Sequence, residues 1–181
     1  MTAELTQNTE KHLTLTERLH VRRNSTTLLV DTSGSMASDC EPGLSKIQAL
    51  RNIVNGLSGS SAIMWFNSKF GWCAKDSIPD PCDCTYLANV LMHLKALGHR
   101  SIVLITDGDI TDKQETLVAC KDMNIKCMYI GAGPRPEFLD KLANLSGGWA
   151  TTEDLTQQKL LTEKVQLLLG SGEPVRGAFE L

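Results

Sequence analysis

Aromatic residues are scarce in this chain, 5% of 181 residues, too few for a platform on which nucleic-acid bases stack. Basic charge is not in excess either. The chain carries 18 Lys and Arg against 21 Asp and Glu, a formal net charge of -3, which lacks the electrostatic footprint of a nucleic-acid-binding domain. No apolar run approaches the roughly 20 residues that cross a bilayer as a helix. The cleanest runs, 26–30 and 101–106, are strand-sized. The first ten residues are polar and mixed in charge, without the apolar core of a secretory signal, so a cytoplasmic location is expected. Histidine is sparse, and His12, His20, His93 and His99 fall at no metal-binding spacing. What remains is ordinary for a folded domain: 41% hydrophobic and 22% charged residues, in a length that suits one domain.

There are six cysteines, Cys40, Cys73, Cys82, Cys84, Cys120 and Cys127. An even count invites disulfides, but disulfide scaffolds are usually shorter and denser in Cys. Most are therefore expected as reduced thiols, with Cys120 and Cys127 acting as small core hydrophobes. Cys82-Asp83-Cys84, with Cys73 and Cys40, offers a zinc site as an alternative. Its Cys-x-Cys spacing departs from that of structural zinc sites, and plain loop thiols are the simpler reading. Arg22-Arg23 reads as a solvated pair, and Trp65, Trp72 and Trp149 as core packing.

Residues 1–24 form an N-terminal arm with few apolar markers, expected to be the least ordered part, and 171–181 form a C-terminal tail. Between them, 25–170 read as one domain. Continuous apolar runs at 26–31, 61–66, 101–106 and 125–130 predict strands buried on both faces. Shorter strands are expected at 69–74 and, at an edge, 148–151. Helical periodicity marks 44–57, 85–97, the stretch from Thr111 or Asp112 to about Met123, 136–145 and 155–169. This alternation predicts an α/β domain: a doubly wound, mostly parallel sheet with helices on both faces.

In such a sheet, ligands bind at the carboxyl ends of the strands, near the switch in strand order. After the first strand stand Asp31, Ser33 and Ser35. After the strand at 101–106 stand Asp107 and Asp109, and Thr85 opens the helix at 85. All are oxygen donors, a set suited to a hard cation: Mg²⁺ first, with Mn²⁺ or Ca²⁺ as alternatives. Gly34 is expected to let the backbone turn sharply between alternate ligands. Each feature taken singly also fits a polar turn or a helix cap, and Asp109 and Asp112 read as capping or solvated carboxylates.

The segment Leu29-Val30-Asp31-Thr32-Ser33-Gly34-Ser35-Met36 resembles the first motif of the von Willebrand factor A domain family. Thr85-Tyr86-Leu87-Ala88-Asn89-Val90-Leu91 resembles that family's threonine segment, and Ile105-Thr106-Asp107-Gly108 its later Asp-Gly motif. The three fall in the family's order, and the likeness covers roughly 25–170. It implies a Rossmann-like fold with a metal-ion-dependent adhesion site. Ser33, Ser35 and Thr85 would be the hydroxyl ligands and Asp31 and Asp107 the carboxylate ones. Asp83, Asp109, Gly34 and Gly108 would be surrounding contacts; many members carry a glycine just before the threonine, where this chain has Cys82-Asp83-Cys84-Thr85, a bulkier approach that would bring Asp83 near the ion.

The function so implied is binding rather than catalysis: a partner protein's carboxylate completes the coordination of the cation. Relatives of the intracellular type work in multi-protein assemblies, some beside ring-shaped AAA+ ATPases. The alternative reading is a Mg²⁺-dependent hydrolase or phosphotransferase on a similar sheet. Against it, the third position of the first motif is Ser33 rather than Asp, and no catalytic lysine is evident near the site.

Overall fold

The computed structural model describes residues 26–58, 62–152 and 157–170. The expected arm and tail, with Arg22-Arg23, His12 and His20, lie outside the described residues. Six strands form the main sheet: β1 (Thr27–Asp31), β4 (Ile63–Phe66), β5 (Phe70–Cys73), β6 (Ser101–Thr106), β7 (Asn124–Tyr129) and β8 (Trp149–Thr152). Between β1 and β4 a small hairpin pairs β2 (Asp39–Glu41) with β3 (Leu44–Ser45). The helices are α1 (Lys46–Asn55), α2 (Ala88–Ala96), α3 (Lys113–Ala119), α4 (Glu137–Ser146) and α5 (Gln158–Gly170).

The order across the main sheet is β5-β4-β1-β6-β7-β8. All pairings are parallel except β4 with the edge strand β5. The chain therefore grows to one side of β1 and then returns to the other. The switch point lies between β1 and β6, where Val30 faces Ile105.

Alternation along the strands splits the core in two. Leu29, Leu104 and Cys127 pack with α2 and α4 residues such as Leu91, Leu94 and Leu139. Leu28, Val30, Val103 and Ile105 pack on the opposite face with Leu50 and Ile53 of α1 and Val165 of α5. Both faces of the central strands are covered, which explains their continuous apolar runs.

Several expected boundaries move. The helix expected at 44–57 begins at Lys46, because Ser45 caps it in a reciprocal capping box with Gln48. Leu44 belongs to the hairpin instead. The helix expected at 85 begins at Ala88, which leaves Thr85 on the approach loop. The helix expected to reach Met123 ends at Ala119. Cys120 and Cys127 are fully buried thiols, and desolvation pushes Cys127 up to about 12. Trp65 and Trp149 are half-buried beside the core. Trp72 departs from expectation: it is 45% exposed on β5, its ring tilted against that of His99. Phe70, on the same face of β5, meets His93 of α2, and Trp72 lies beyond that helix's cover. Among the described residues, no helix is long and apolar enough to cross a membrane.

Candidate metal centre

β1 and β6 end side by side at the switch point, in Asp31 and at Asp107, where an open α/β sheet leaves a crevice. Asp31 is completely buried. Its Oδ1 accepts the Ser33 N–H at 2.8 Å, and its Oδ2 accepts the Thr106 hydroxyl at 2.6 Å. The Ser33 and Ser35 hydroxyls meet at 3.1 Å, so the alternate side chains of the first turn converge. Burial nevertheless dominates at Asp31. Desolvation pushes its carboxyl up to about 6, against the lowering by these hydrogen bonds, and the nearby Asp107 adds to the rise. A cation brought to this carboxylate would relieve that cost.

Backbone hydrogen bonds stitch the second stretch to the first. Cys82 N–H donates to Thr32 O at 3.0 Å, and Gly34 N–H to Asp83 O at 3.0 Å. The third stretch holds the second: Thr111 N–H donates to Thr85 O at 2.9 Å. Asp112 reaches across as well, accepting the N–H groups of Leu87 and Ala88, each at 2.9 Å. Its carboxylate thus serves the start of α2, where free amide groups favour a carboxylate, while it also stands at the N-cap of α3 and accepts the Thr116 hydroxyl of that helix at 3.2 Å. Thr85 is buried, and its hydroxyl has no hydrogen-bond partner among the described residues.

The surrounding residues divide. Gly108 has φ 76°, and its N–H donates to Thr106 Oγ1 at 3.0 Å. A side chain there would place Cβ 2.8 Å from Pro136 Cγ. Gly34 needs no such freedom: its φ is not positive, and an added Cβ would make ordinary contact with Asp83 O at 3.4 Å. The sharp turn expected of it is instead a 3-10 turn over Gly34–Ala37 that an L-residue can adopt. Asp109 is exposed, with its N–H on Asp107 Oδ1 at 3.2 Å. Asp83 has φ 59°, and its carboxylate accepts the Ser68 hydroxyl at 2.8 Å.

One residue escaped the sequence reading. Lys46 Nζ donates to Asp107 Oδ2 at 2.8 Å and lies 3.4 Å from Ser35 O. The side chains of the pair are only 15% and 3% exposed. A local signal existed. Lys46 is the first residue of α1, where the helix dipole disfavours a cation, so its presence there calls for a partner outside the helix. It also supplies a lysine at the site, which the sequence alone had not revealed. Among the described residues, no three His, Cys, Asp or Glu side chains gather as a metal group. The zinc alternative gains nothing: Cys40 is buried, whereas Cys82 and Cys84 are exposed. The donors at the crevice are two carboxylates, hydroxyls and a carbonyl, which fit a hard divalent ion.

The chain matches no protein-family model and no curated protein. Solved structures do resemble it. A von Willebrand factor type A protein from Catenulispora acidiphila superposes with a TM-score of 0.60 at 16% identity, over 80% of this chain and 42% of that one. Proximal thread matrix protein 1 from the mussel byssus gives 0.52 at 17% identity, over 79% and 44%. A second structure of that protein, described as having a zinc-occupied MIDAS motif, gives 0.52 at 18% identity, over 79% and 44%. This chain thus spans less than half the length of these neighbours. With its mostly parallel sheet and two helical layers, it has the von Willebrand factor A fold.

Proposed function

We propose that this chain is a divalent-cation-dependent protein-binding module. Mg²⁺ is the ion, with Mn²⁺ or Ca²⁺ as substitutes. Asp31, Asp107, Ser33, Ser35 and Thr85 are its ligands, directly or through water. The observation that carries this reading is the Asp31 carboxylate, fully buried and met, among the described residues, by neutral donors. When bound, the ion supplies an electrophilic position that an acidic side chain of a partner protein completes. Thr106 and the Ser33 amide orient Asp31 for that role, and Asp112 fixes the segment that presents Thr85. The partner belongs to a multi-protein assembly in the cytoplasm, of the kind that includes ring-shaped AAA+ ATPases.

Calorimetric titration with Mg²⁺ and with Mn²⁺ tests the site. The native chain is expected to bind both and Asp31→Ala neither, with affinity falling at least a hundredfold. Affinity capture in Mg²⁺ followed by EDTA then tests the module. Chelation is expected to release the partner, and retention through the EDTA wash would count against the reading.

A second reading, a Mg²⁺-dependent hydrolase or phosphotransferase, gains Lys46 beside Asp107. It still has Ser33 where such chemistry wants a second carboxylate. Turnover of generic phosphate esters in Mg²⁺, abolished by Asp31→Asn, would revive it.

A further inference from the structure

The two carboxylates at the crevice are not treated alike, and the difference lies in Lys46. Its ammonium bridges Asp107 Oδ2 at 2.8 Å and approaches Ser35 O at 3.4 Å. It thereby joins two of the three stretches that build the site. It arrives from the first turn of α1, and the hairpin sets its backbone, since Lys46 N–H donates to Ser38 O at 3.0 Å. The contact is therefore framed by main-chain bonds and is not a chance reach from the surface. No other Lys or Arg among the described residues forms an ion pair with Asp31, Asp107 or Asp109.

We infer that Lys46 is a built-in cation that holds Asp107 in the metal-free protein and competes with the divalent ion for it. This rests on the metal reading proposed above. Oδ2 has lone pairs for more than one partner, so the conflict is one of charge: the ammonium at 2.8 Å already neutralises the carboxylate that the ion would use. The two cations also repel each other strongly where water is largely excluded. Occupation by metal is then opposed by Lys46 and favours its release of Oδ2. The arrangement has two consequences. The metal-free domain keeps Asp107 neutralised and its turn in place, and the site fills only when free cation is abundant. Metal binding becomes an exchange of one cation for another, which makes it weaker and more readily reversed than in a site whose carboxylates stand unpaired.

The test uses the full chain with Lys46→Met and Lys46→Gln, titrated by calorimetry with Mg²⁺ and separately with Mn²⁺. Thermal melts are recorded with and without each ion. Methionine keeps the stem of the side chain and removes the charge, whereas glutamine keeps a donor for Asp107. If Lys46 competes, both variants bind the ions at least tenfold more tightly than the native chain. Their metal-free melting temperatures fall, and their gain on adding metal exceeds that of the native protein. Equal or weaker binding in folded variants, with the native chain still binding, overturns the competition and leaves the metal site standing. If neither the native chain nor the variants bind Mg²⁺ or Mn²⁺, the metal reading fails and this inference fails with it. Circular dichroism of each variant confirms the fold, and Lys46→Gln keeps the experiment decisive if Lys46→Met does not fold.

Discussion

The turn after β1 and the turn after β6 sit side by side on the sheet edge and fold back with the same device. In each, an aspartate Oδ1 accepts the N–H two residues on: Ser33 to Asp31 at 2.8 Å, and Asp109 to Asp107 at 3.2 Å. They part in how they hold charge and how they bend. Asp107 has a cation of its own in Lys46, whereas Asp31 is buried among neutral donors. The β6 turn passes through a left-handed glycine, Gly108, and the β1 turn stays in ordinary backbone space at Gly34. One turn is thus satisfied as it stands, and the other carries a charge awaiting compensation. Such asymmetry fits the metal site proposed above, one that keeps its shape without an ion.

The strongest break of this comparison in stability is Gly108→Ala. The new Cβ meets φ 76° and would lie 2.8 Å from Pro136 Cγ and 3.2 Å from Leu139 Cδ1. The proline ring cannot swing aside, so a loss of about 2–3 kcal/mol is expected in urea melts of the metal-free chain. A loss under about 0.5 kcal/mol would show that the turn relaxes freely.

Next come the two isosteric changes at the aspartates, which should move metal-free stability in opposite directions. Asp31→Asn removes a buried charge that only neutral donors meet and is expected to raise stability by about 1 kcal/mol. Asp107→Asn deprives Lys46 of its partner at a mostly buried position and is expected to lower it by about 1–2 kcal/mol. Both should abolish or greatly weaken Mg²⁺ binding. Paired denaturant melts check the signs, and a shared sign would erase the distinction drawn between the turns.

The sequence made most of this architecture legible, for reasons that particular elements show. β1, β6 and β7 are buried on both faces, so their apolar runs stand out against polar surroundings. The aspartates at the ends of β1 and β6 follow directly from where those runs stop. The hairpin β2–β3 was invisible because strands of three and two residues are too short to show a period. The Lys46–Asp107 pair bridges 61 positions: the lysine at the start of a helix signals an outside partner, but nothing local says which. Asp112 was legible only in part, for a related reason, since it does stand at the N-cap of α3. A carboxylate before a helix suggests a cap for that helix, and here it also reaches the backbone N–H groups at the start of another that packing brings alongside. Thr85 was placed in a helix because Leu87, Val90, Leu91 and Leu94 share its period, and periodicity does not say where the first turn closes.

The finest test separates sequence logic from structural need at Gly34. The pattern Asp-x-Ser-Gly-Ser suggests a glycine required for a tight bend, as at Gly108. The structure gives Gly34 neither a positive φ nor a crowded neighbour, only Asp83 O at 3.4 Å from an added Cβ. Its N–H, which donates to that same oxygen at 3.0 Å, survives substitution. Alanine also narrows the unfolded ensemble, which offsets any slight crowding. Gly34→Ala is therefore expected to change metal-free stability by no more than about 0.5 kcal/mol, against the several-fold larger loss at Gly108. Comparable losses at both positions would mean that the first turn is as tightly constrained as the second, and the contrast between them would rest on charge alone.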